Sequence, residues 1–416
     1  MGILNNKIKL GSGDYMSYEI EGDVTSSSKY LQISGIQKII NRNSIYPRFR
    51  IFVLNPDETV CYQIPNEDIL SGGSYNENYQ NGSRRTLSFT LDNSSGKYTP
   101  SINNFWSGTR VSLQVGLEIP DEATTVWFDK GVFIMDAPKP SKTAEQKTVS
   151  ISCSDKFSLF EGAQGAAGIA TEFPAETKIR NLIQDILQRD MGNGYFVDPK
   201  PFLLDPSFEG RVLPNKISLT AEGSWGSILT QIADILSAEV FYDAQGRMNF
   251  IPVVETMNDG SKPVLYDYSL DKLQTENFSF DTSNFINKVY VVGANVNGHT
   301  CTAEAENNDP NSPLCISRIG LRTTVVSDSN ITMDILAQER ADYELRKNLV
   351  AKSTLDSGVF FNPLLSVNNI VTYTDEEDFN LRRERFLIQS LSFNLGYDGT
   401  MSLSVSNINN LPFVVS

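Results

Sequence analysis

Histidine, cysteine, positive charge and long apolar runs are all scarce in this sequence. Its 416 residues include one histidine, His299, so catalysis of the Ser-His-Asp or Cys-His type would have to use that side chain. Four cysteines are too few for a disulfide scaffold. No stretch approaches the length of a transmembrane helix, and residues 1–7 lack the apolar run of a signal peptide. We therefore expect folding in a reducing cytoplasm without membrane insertion.

The shortage of positive charge excludes a typical duplex-binding protein. The sequence has 35 Lys and Arg against 50 Asp and Glu, a net charge of −15, whereas phosphate binding needs clustered basic side chains. We interpret the basic trio Arg382, Arg383 and Arg385 as a solvated hairpin, paired with its acidic neighbours Glu376, Glu377 and Asp378. The chain length indicates about two to four domains.

Strand patterns dominate what is present. Apolar and polar residues alternate in residues 87–91, 111–117 and 149–153, and a period of two is typical of an antiparallel sheet or barrel. Residues 92–96 predict a turn, because Asn and Gly tolerate a positive φ. Residues 71–85 are rich in Gly, Asn and Ser and show no periodicity, so we predict a mobile loop there.

A small α/β segment interrupts the strands. Gly162, Gly165 and Gly168 lack the Lys-Ser/Thr ending of a phosphate-binding loop and predict a flexible boundary. Apolar residues at helical spacing predict helices from Ile179 and Trp225, followed by a hairpin that turns at residues 244–247. Strand patterns return from about residue 278, with one helix over residues 332–351 and a closing hairpin around residues 397–400.

We predict no catalytic, cofactor-binding or metal-binding residues. The sequence has no Gly-x-Ser-x-Gly elbow, and acidic runs such as residues 375–378 are typical of solvated turns, not of a glycosidase pair. His299, Cys301 and Cys315 could supply three metal ligands, but zinc sites usually show closer cysteine pairs and a fourth ligand. Two free thiols and a Cys301–Cys315 disulfide both stay open. The three tryptophans are interpreted as structural residues: Trp106, Trp127 and Trp225.

A series of short motifs occurs in a fixed order along the N-terminal part of the chain. They are Leu-Ser-Phe-Thr-Leu-Asp-Asn at residues 87–93 with Gly96, Tyr98 and Pro100, then Trp106-x-Gly108-x-Arg110-Val111, Trp-Phe-x-x-Gly-Val-Phe-Ile at residues 127–134, and residues 147–157. The helix from Trp225, the hairpin turning at Gly246 and the closing hairpin at residues 384–403 continue the series. In this order the pieces resemble the hub proteins at the tip of bacteriophage tails. The resemblance covers nearly the whole chain and includes the N-terminal module of tail-associated lysin proteins.

The resemblance implies a mainly β fold with an α+β insert. Two tail-tube-like β-barrel modules would occupy residues 1–160 and 276–416, the second with one helix, and the insert would occupy residues 161–275. The implied function is structural and not enzymatic. A homotrimer would form a pseudo-sixfold ring that joins the hexameric tail tube or distal tail protein to a trimeric spike, fibre or tail-tip protein.

The ring would leave a channel through which DNA passes without specific binding, and an acidic wall would repel its phosphates. The expected location is the virion tail, after assembly in the cytoplasm of a bacterial host. Residues 71–85 and 297–313 are the expected contact segments, because long irregular loops on β frames often carry binding. The alternatives are a glycan-binding tail-tip protein, the hub of a phage-derived bacteriocin or secretion system and, least favoured, a cell-wall hydrolase.

Overall fold

β-strands dominate the part of the chain that the structure describes, as predicted. The computed structural model describes residues 2–9, 15–22, 40, 46–101, 105–119, 124–190, 192, 194–252, 264–269, 273–280, 286–296, 298–312, 314–329, 331–350, 353–376, 381–396 and 399–407. These residues form 24 strands and four α-helices. Within them, no helix combines the length and the apolar character that crossing a membrane requires.

The elements are numbered in chain order. The helices are α1 (Ile179–Leu187), α2 (Trp225–Leu236), α3 (Ile316–Ile319) and α4 (Asp334–Val350). The strands are β1 (Gly2–Lys9), β2 (Tyr15–Gly22), β3 (Tyr46–Leu54), β4 (Val60–Gln63), β5 (Ile69–Asn78), β6 (Arg85–Asp92), β7 (Arg110–Ile119), β8 (Thr124–Met135), β9 (Lys139–Lys142), β10 (Lys147–Asp155), β11 (Thr171–Phe173), β12 (Leu203–Leu204), β13 (Ile217–Leu219), β14 (Ala238–Tyr242), β15 (Met248–Pro252), β16 (Val264–Ser269), β17 (Leu273–Phe280), β18 (Lys288–Val296), β19 (His299–Glu306), β20 (Thr323–Ser327), β21 (Ser353–Phe360), β22 (Ile370–Asp375), β23 (Leu381–Asn394) and β24 (Thr400–Asn407).

One 16-stranded sheet contains most of these strands. Its main path runs β17-β21-β24-β23-β5-β6-β10-β8-β7-β3-β4. The alternation read from the sequence is confirmed on β6, where Leu87, Phe89 and Leu91 are buried and the residues between them are partly exposed. The same holds for β7 and β10, which carry the other two alternating segments. Burial of one face of each strand therefore holds this sheet on its core.

Strand β23 joins the N-terminal and C-terminal strands. Its first half pairs with β22, and its second half lies between β24 and β5, with Ser392 opposite Asn76. A single apolar core contains side chains from both ends of the chain, for example Phe89 and Leu403. The division at residues 1–160, 161–275 and 276–416 stays a prediction, and the sheet is continuous between the first and last of these ranges.

The insert has a core of its own. Ile179, Ile183 and Ile186 on α1 pack with the apolar side of α2 and with the hairpin β14–β15. Helix α2 begins after its N-cap residue Ser224, whose hydroxyl accepts a hydrogen bond from the Ser227 N–H at 3.3 Å.

One glycine at the start of the insert, Gly165, packs closely, whereas Gly162 and Gly168 have open space around them, so the flexible boundary stays a prediction. The Gly165 N–H donates to the Glu161 carbonyl at 3.0 Å, and the Gly165 carbonyl accepts from the Trp225 N–H at 2.9 Å. A Cβ at Gly165 would lie 1.9 Å from the carbonyl carbon of Phe160. Glycine is required here because the two backbone segments approach too closely for a side chain.

One of the three smaller sheets is formed by strands that lie between β17 and β21 in the sequence. Its order is β19-β18-β20, and one of its faces packs against α4. Ala337 and Ala341 of α4 contact the same core as Val289 and Val291 of β18. The predicted helix over residues 332–351 is confirmed as α4, and the short α3 was not predicted.

Candidate assembly site

Eight neighbouring strands of the large sheet present a face of short polar side chains, which we call the polar face. These strands are β17, β21, β24, β23, β5, β6, β10 and β9. Period-two alternation on β21, β24, β23, β5, β6 and β10 sends most of the residues on one side into the core and leaves small uncharged residues at least partly exposed on the other side, whereas all four residues of β9 are exposed. The polar face includes Ser74, Asn76, Thr86, Ser88, Thr90, Ser150, Ser152, Ser390, Ser392, Ser402 and Ser404.

The strand register arranges these residues in rows that cross the sheet. One row passes from Ser402 through Ser392 and Asn76 to Thr86. Hydroxyl groups bond between strands, with 2.9 Å between the Oγ atoms of Ser74 and Ser88. The charged residues of this face include Asp92, Asp356 and Lys139. The rows run without a break from the C-terminal strands to the N-terminal ones.

The two outer strands of the polar face have one free edge each within the described residues. Strand β9 pairs with β10, and β17 pairs with β21. All seven pairings among the eight strands are antiparallel. Strand directions therefore alternate, and because the number of strands is even, β9 and β17 run in opposite directions.

Behind the polar face, a buried ion pair replaces apolar residues. The Arg85 guanidinium contacts the Glu77 carboxylate at 2.5 Å, and the Tyr75 hydroxyl donates to Glu77 at 3.0 Å. Burial disfavours the charged form of the Arg85 guanidinium. The attraction of the Glu77 carboxylate outweighs this effect of burial and raises the pKa of Arg85. Burial also raises the pKa of Tyr75 well above its ordinary value. Arg85 reaches the insert as well, because its guanidinium donates to the Tyr242 carbonyl.

Glu239 of β14 connects three parts of the chain. Its carboxylate accepts hydrogen bonds from the Arg84 guanidinium at 2.9 Å, from the Tyr79 hydroxyl at 2.6 Å and from the Asn368 amide at 3.2 Å. The carboxylate of Asp155 accepts the backbone N–H groups of Arg84 and Arg85. The insert is therefore fixed to both the N-terminal and the C-terminal strands by buried polar contacts.

A third buried cluster surrounds Lys156. Its ammonium lies 2.6 Å from carboxylate oxygens of both Glu58 and Asp198, and it donates to the Gly246 carbonyl at 2.9 Å. Burial disfavours the Glu58 carboxylate, but the ammonium groups of Lys156 and Lys200 outweigh it and lower the pKa of Glu58. The geometry pairs the buried charges, so these three polar clusters hold residues of the insert against the N-terminal and C-terminal strands.

Of the three metal ligands considered from the sequence, the structure brings only His299 and Cys301 together. Nε2 of His299 lies 3.0 Å from a carboxylate oxygen of Asp334, and Cys301 is buried beside them. Cys315 does not belong to this cluster. All four cysteines are free thiols, so no bridge joins Cys301 and Cys315.

Comparison with known proteins gives matches among solved structures. No protein-family model matches the sequence, and no curated protein matches it. A tail protein from Neisseria meningitidis MC58 aligns with a TM-score of 0.57 and 14% identity, over 88% of this chain and 98% of that chain. The 43 kDa tail protein of prophage MuSo2 from Shewanella oneidensis aligns with a TM-score of 0.55 and 14% identity, over 87% and 99%. A chain of the lidded Francisella PdpA–VgrG complex aligns with a TM-score of 0.54 and 11% identity, over 94% and 57%.

This chain has the fold of phage tail proteins. The resemblance seen in the sequence is thereby confirmed at the level of the fold, over most of the chain.

The predicted contact segments take other conformations in this tail-protein fold. Residues 71–85 are not a mobile loop, since they contain most of β5 and the first residue of β6. Residues 297–313 are not wholly irregular, because β19 covers His299–Glu306 and pairs with β18. His299 is therefore a strand residue and not a loop residue. The signal for β5 was weak because its buried residues include Glu77 in place of an aliphatic side chain.

The predictions for the charged hairpin residues and for the tryptophans are confirmed at some positions and wrong at others. Arg382 pairs with Glu376 at 3.4 Å on the surface, as interpreted from the sequence. Asp375, by contrast, is buried and not solvated. Trp127 is buried, but 55% of Trp106 is exposed, so the structural interpretation fails for that tryptophan. Residues 377–380 and 397–398, which include Glu377, Asp378 and part of the closing turn, lie outside the described residues.

Proposed function

We propose that this protein is a structural, non-enzymatic hub of a phage tail, in which three copies form a ring around a channel. The observation that carries the proposal is the polar face, an eight-stranded surface of mostly short side chains that has, among the described residues, a free edge at each end. The fold of the tail proteins from Neisseria meningitidis and Shewanella oneidensis supports the same role. In the assembled particle this hub belongs to the baseplate or tail tip.

The polar face suits the wall of a DNA channel. Serine, threonine and asparagine hold water and carry no net charge, so they offer phosphates no salt links. Acidic residues such as Asp92 and Asp356 add repulsion, whereas Lys139 contributes a positive charge at the outer strand β9. We therefore propose a mostly uncharged wall in place of the acidic wall expected from the net charge. DNA would slide past without specific binding, since such binding depends on clustered Lys and Arg.

The free edges explain how a ring closes. Because β9 and β17 run in opposite directions, β9 of one copy can pair with β17 of the next and continue the antiparallel alternation. Such a contact joins two different surfaces, and contacts of this type close into rings when the rotation permits. Pairing also covers two exposed edges that would otherwise promote aggregation.

A trimer of this kind would imitate sixfold symmetry. The polar face consists of four C-terminal strands, β17, β21, β24 and β23, followed by the four N-terminal strands β5, β6, β10 and β9. Each copy thus contributes two four-stranded units, which correspond to the two expected tube-like modules. We propose that this ring joins a hexameric tail tube or distal tail protein to a trimeric spike, fibre or tail-tip protein.

Cross-linking tests the closure of the ring. In a Cys61→Ser background, which removes the exposed cysteine, Ser141→Cys on β9 is combined with Asn277→Cys on β17, where Asn277 is exposed. A short bis-maleimide is expected to give a covalent trimer, because the two strands come from different copies. Each single cysteine variant is the matched control and should remain uncross-linked. Negative-stain electron microscopy of the wild-type chain should show threefold rings with an open axis.

A chain that stays monomeric at micromolar concentration and yields no cross-linked species would contradict the proposal. The likeness to a chain of the PdpA–VgrG complex favours a second candidate, the hub of a phage-derived injection machine such as a bacteriocin or secretion system. Purification of intact particles distinguishes the two: DNA-filled particles support a virus, and DNA-free particles support the second candidate.

A further inference from the structure

His299, Cys301 and Asp334 bring three kinds of metal donor together at one end of the small sheet. Strand β19 places His299 and Cys301 two residues apart, and therefore on one face. Asp334 is the first residue of α4, the helix that packs on this sheet. One donor atom from each residue lies within 4.8 Å of the others. A small shift of the two exposed side chains would bring all three donors around one ion.

We propose that these residues form a Zn²⁺ site. A thiolate and an imidazole favour zinc, whereas calcium and magnesium prefer ligands that are all oxygen. Three protein donors leave one position of a zinc tetrahedron open to water or to a donor from a partner. The side chains of His299 and Asp334 are 67% and 57% exposed, so an ion can enter from solvent.

The surroundings already orient the carboxylate. The backbone N–H of Thr302 donates to Oδ1 of Asp334 at 3.2 Å, which fixes that oxygen beside β19. Bonds of this kind to a ligand hold it in position and tune the metal. Binding converts the Cys301 thiol to a thiolate and releases its proton to solvent. The bound ion would connect β19 to the first turn of α4 and so stabilise this part of the protein.

The pattern differs from the one weighed in the sequence. Cys315, which lies in the same stretch of sequence, is not near the donors, and Asp334 takes its place from a position 33 residues beyond Cys301. The sequence alone therefore gave no reason to include Asp334. The proposal does not depend on the hub function, because it concerns ion binding by a single copy.

Titration of the full chain with Co²⁺ tests the site. The protein is first treated with a chelator and a reductant, and both are then removed. We expect a thiolate-to-cobalt charge-transfer band in the near ultraviolet that saturates at a single equivalent and disappears when Zn²⁺ is added. Cys301→Ser should abolish the band. His299→Asn and Asp334→Asn should each weaken binding by at least about tenfold, since even loss of an outer-shell partner costs roughly that much.

Two matched controls and a stability measurement complete the test. Cys61→Ser and Cys315→Ser remove thiols outside the cluster and should leave the band and the affinity unchanged. At the same concentration, Zn²⁺ should raise the melting temperature of the wild-type chain more than that of His299→Asn. A band that survives Cys301→Ser would overturn the proposal. So would an affinity that is unchanged in both His299→Asn and Asp334→Asn, and these exposed substitutions stay informative even if Cys301→Ser does not fold.

Discussion

Lys156 shows how one buried side chain holds two parts of the protein together. Its ammonium touches Glu58 before β4 and Asp198 in the insert, each at 2.6 Å, and all three side chains are almost fully buried. We predict that Lys156→Met lowers the free energy of unfolding by about 3–5 kcal/mol, because buried Asp198 loses its cation and buried Glu58 keeps only Lys200 and Arg110. Denaturant unfolding monitored by tryptophan fluorescence measures this loss.

The matched control for that substitution is Lys216→Met. Lys216 contacts Glu172 at 2.8 Å, but both side chains are more than half exposed, so water screens the pair. We expect a loss below about 1 kcal/mol for the control. Equal losses for the two variants would mean that the cluster around Lys156 contributes no more than a surface pair.

Lys130 makes the stability of the protein depend on pH in the alkaline range. Its ammonium is buried and donates to the Leu365 carbonyl at 2.8 Å, and burial lowers the pKa of Lys130 from 10.5 to about 8. Between about pH 8 and 10.5 the unfolded chain therefore binds more protons at this site than the folded protein. The contribution of Lys130 to the free energy of unfolding should rise with pH across this window and stay constant below it.

Lys130→Met tests this pH dependence. The difference in unfolding free energy between wild type and variant should shift toward the wild type by about 3 kcal/mol between pH 8 and 10.5. Unfolding curves at a series of pH values measure the shift, and subtraction cancels the titration of other groups. A difference that stays constant over this range would show that burial does not lower the pKa of Lys130.

At the scale of elements, the close packing of Gly165 gives a sharp test of the junction before α2. We predict that Gly165→Ala costs about 3 kcal/mol or more, because its Cβ would lie 1.9 Å from the Phe160 backbone. Gly210→Ala is the control: Gly210 has a φ of +78° and open space around it, so the strain is limited to about 1–2 kcal/mol. Melting temperatures of both variants measure these costs, and equal costs would contradict the close approach.

Elements with apolar alternation could be predicted from the sequence, and β5 shows why others could not. Helices α1 and α2 and strands β6, β7 and β10 bury aliphatic and aromatic residues at regular spacing. The core side of β5 instead carries Gly73, Tyr75 and Glu77, and its polar face carries serine and asparagine. That composition matches a loop. A buried ion pair with Arg85, which stabilises the strand, leaves no periodic apolar signal.

The assembly surface could be predicted even less, because it depends on pairings between distant strands. Alternation in residues 87–91 places Ser88 and Thr90 opposite the core. Nothing in the sequence indicates that β5 pairs with β23, more than 300 residues later. Local pattern fixes which side of a strand is buried, but long-range register decides which polar sides become one surface.

At the scale of the whole molecule, Phe393 tests whether the two β parts form one cooperative unit. Its ring stacks on Tyr75 of β5 at 4.8 Å and meets Phe361 edge-on at 5.1 Å, so it contacts both ends of the chain. We predict that Phe393→Ala costs about 3–5 kcal/mol. Hydrogen exchange should show weaker protection in β6 and in β24 together, because both strands cover the same core.

Phe208→Ala, which opens the separate core of the insert, is the control and should weaken protection in α1 and α2 while leaving β24 unchanged. A loss confined to residues 353–407 in the Phe393 variant would mean that the two parts unfold independently, and the continuous polar face would then join two separate modules without coupling their stability.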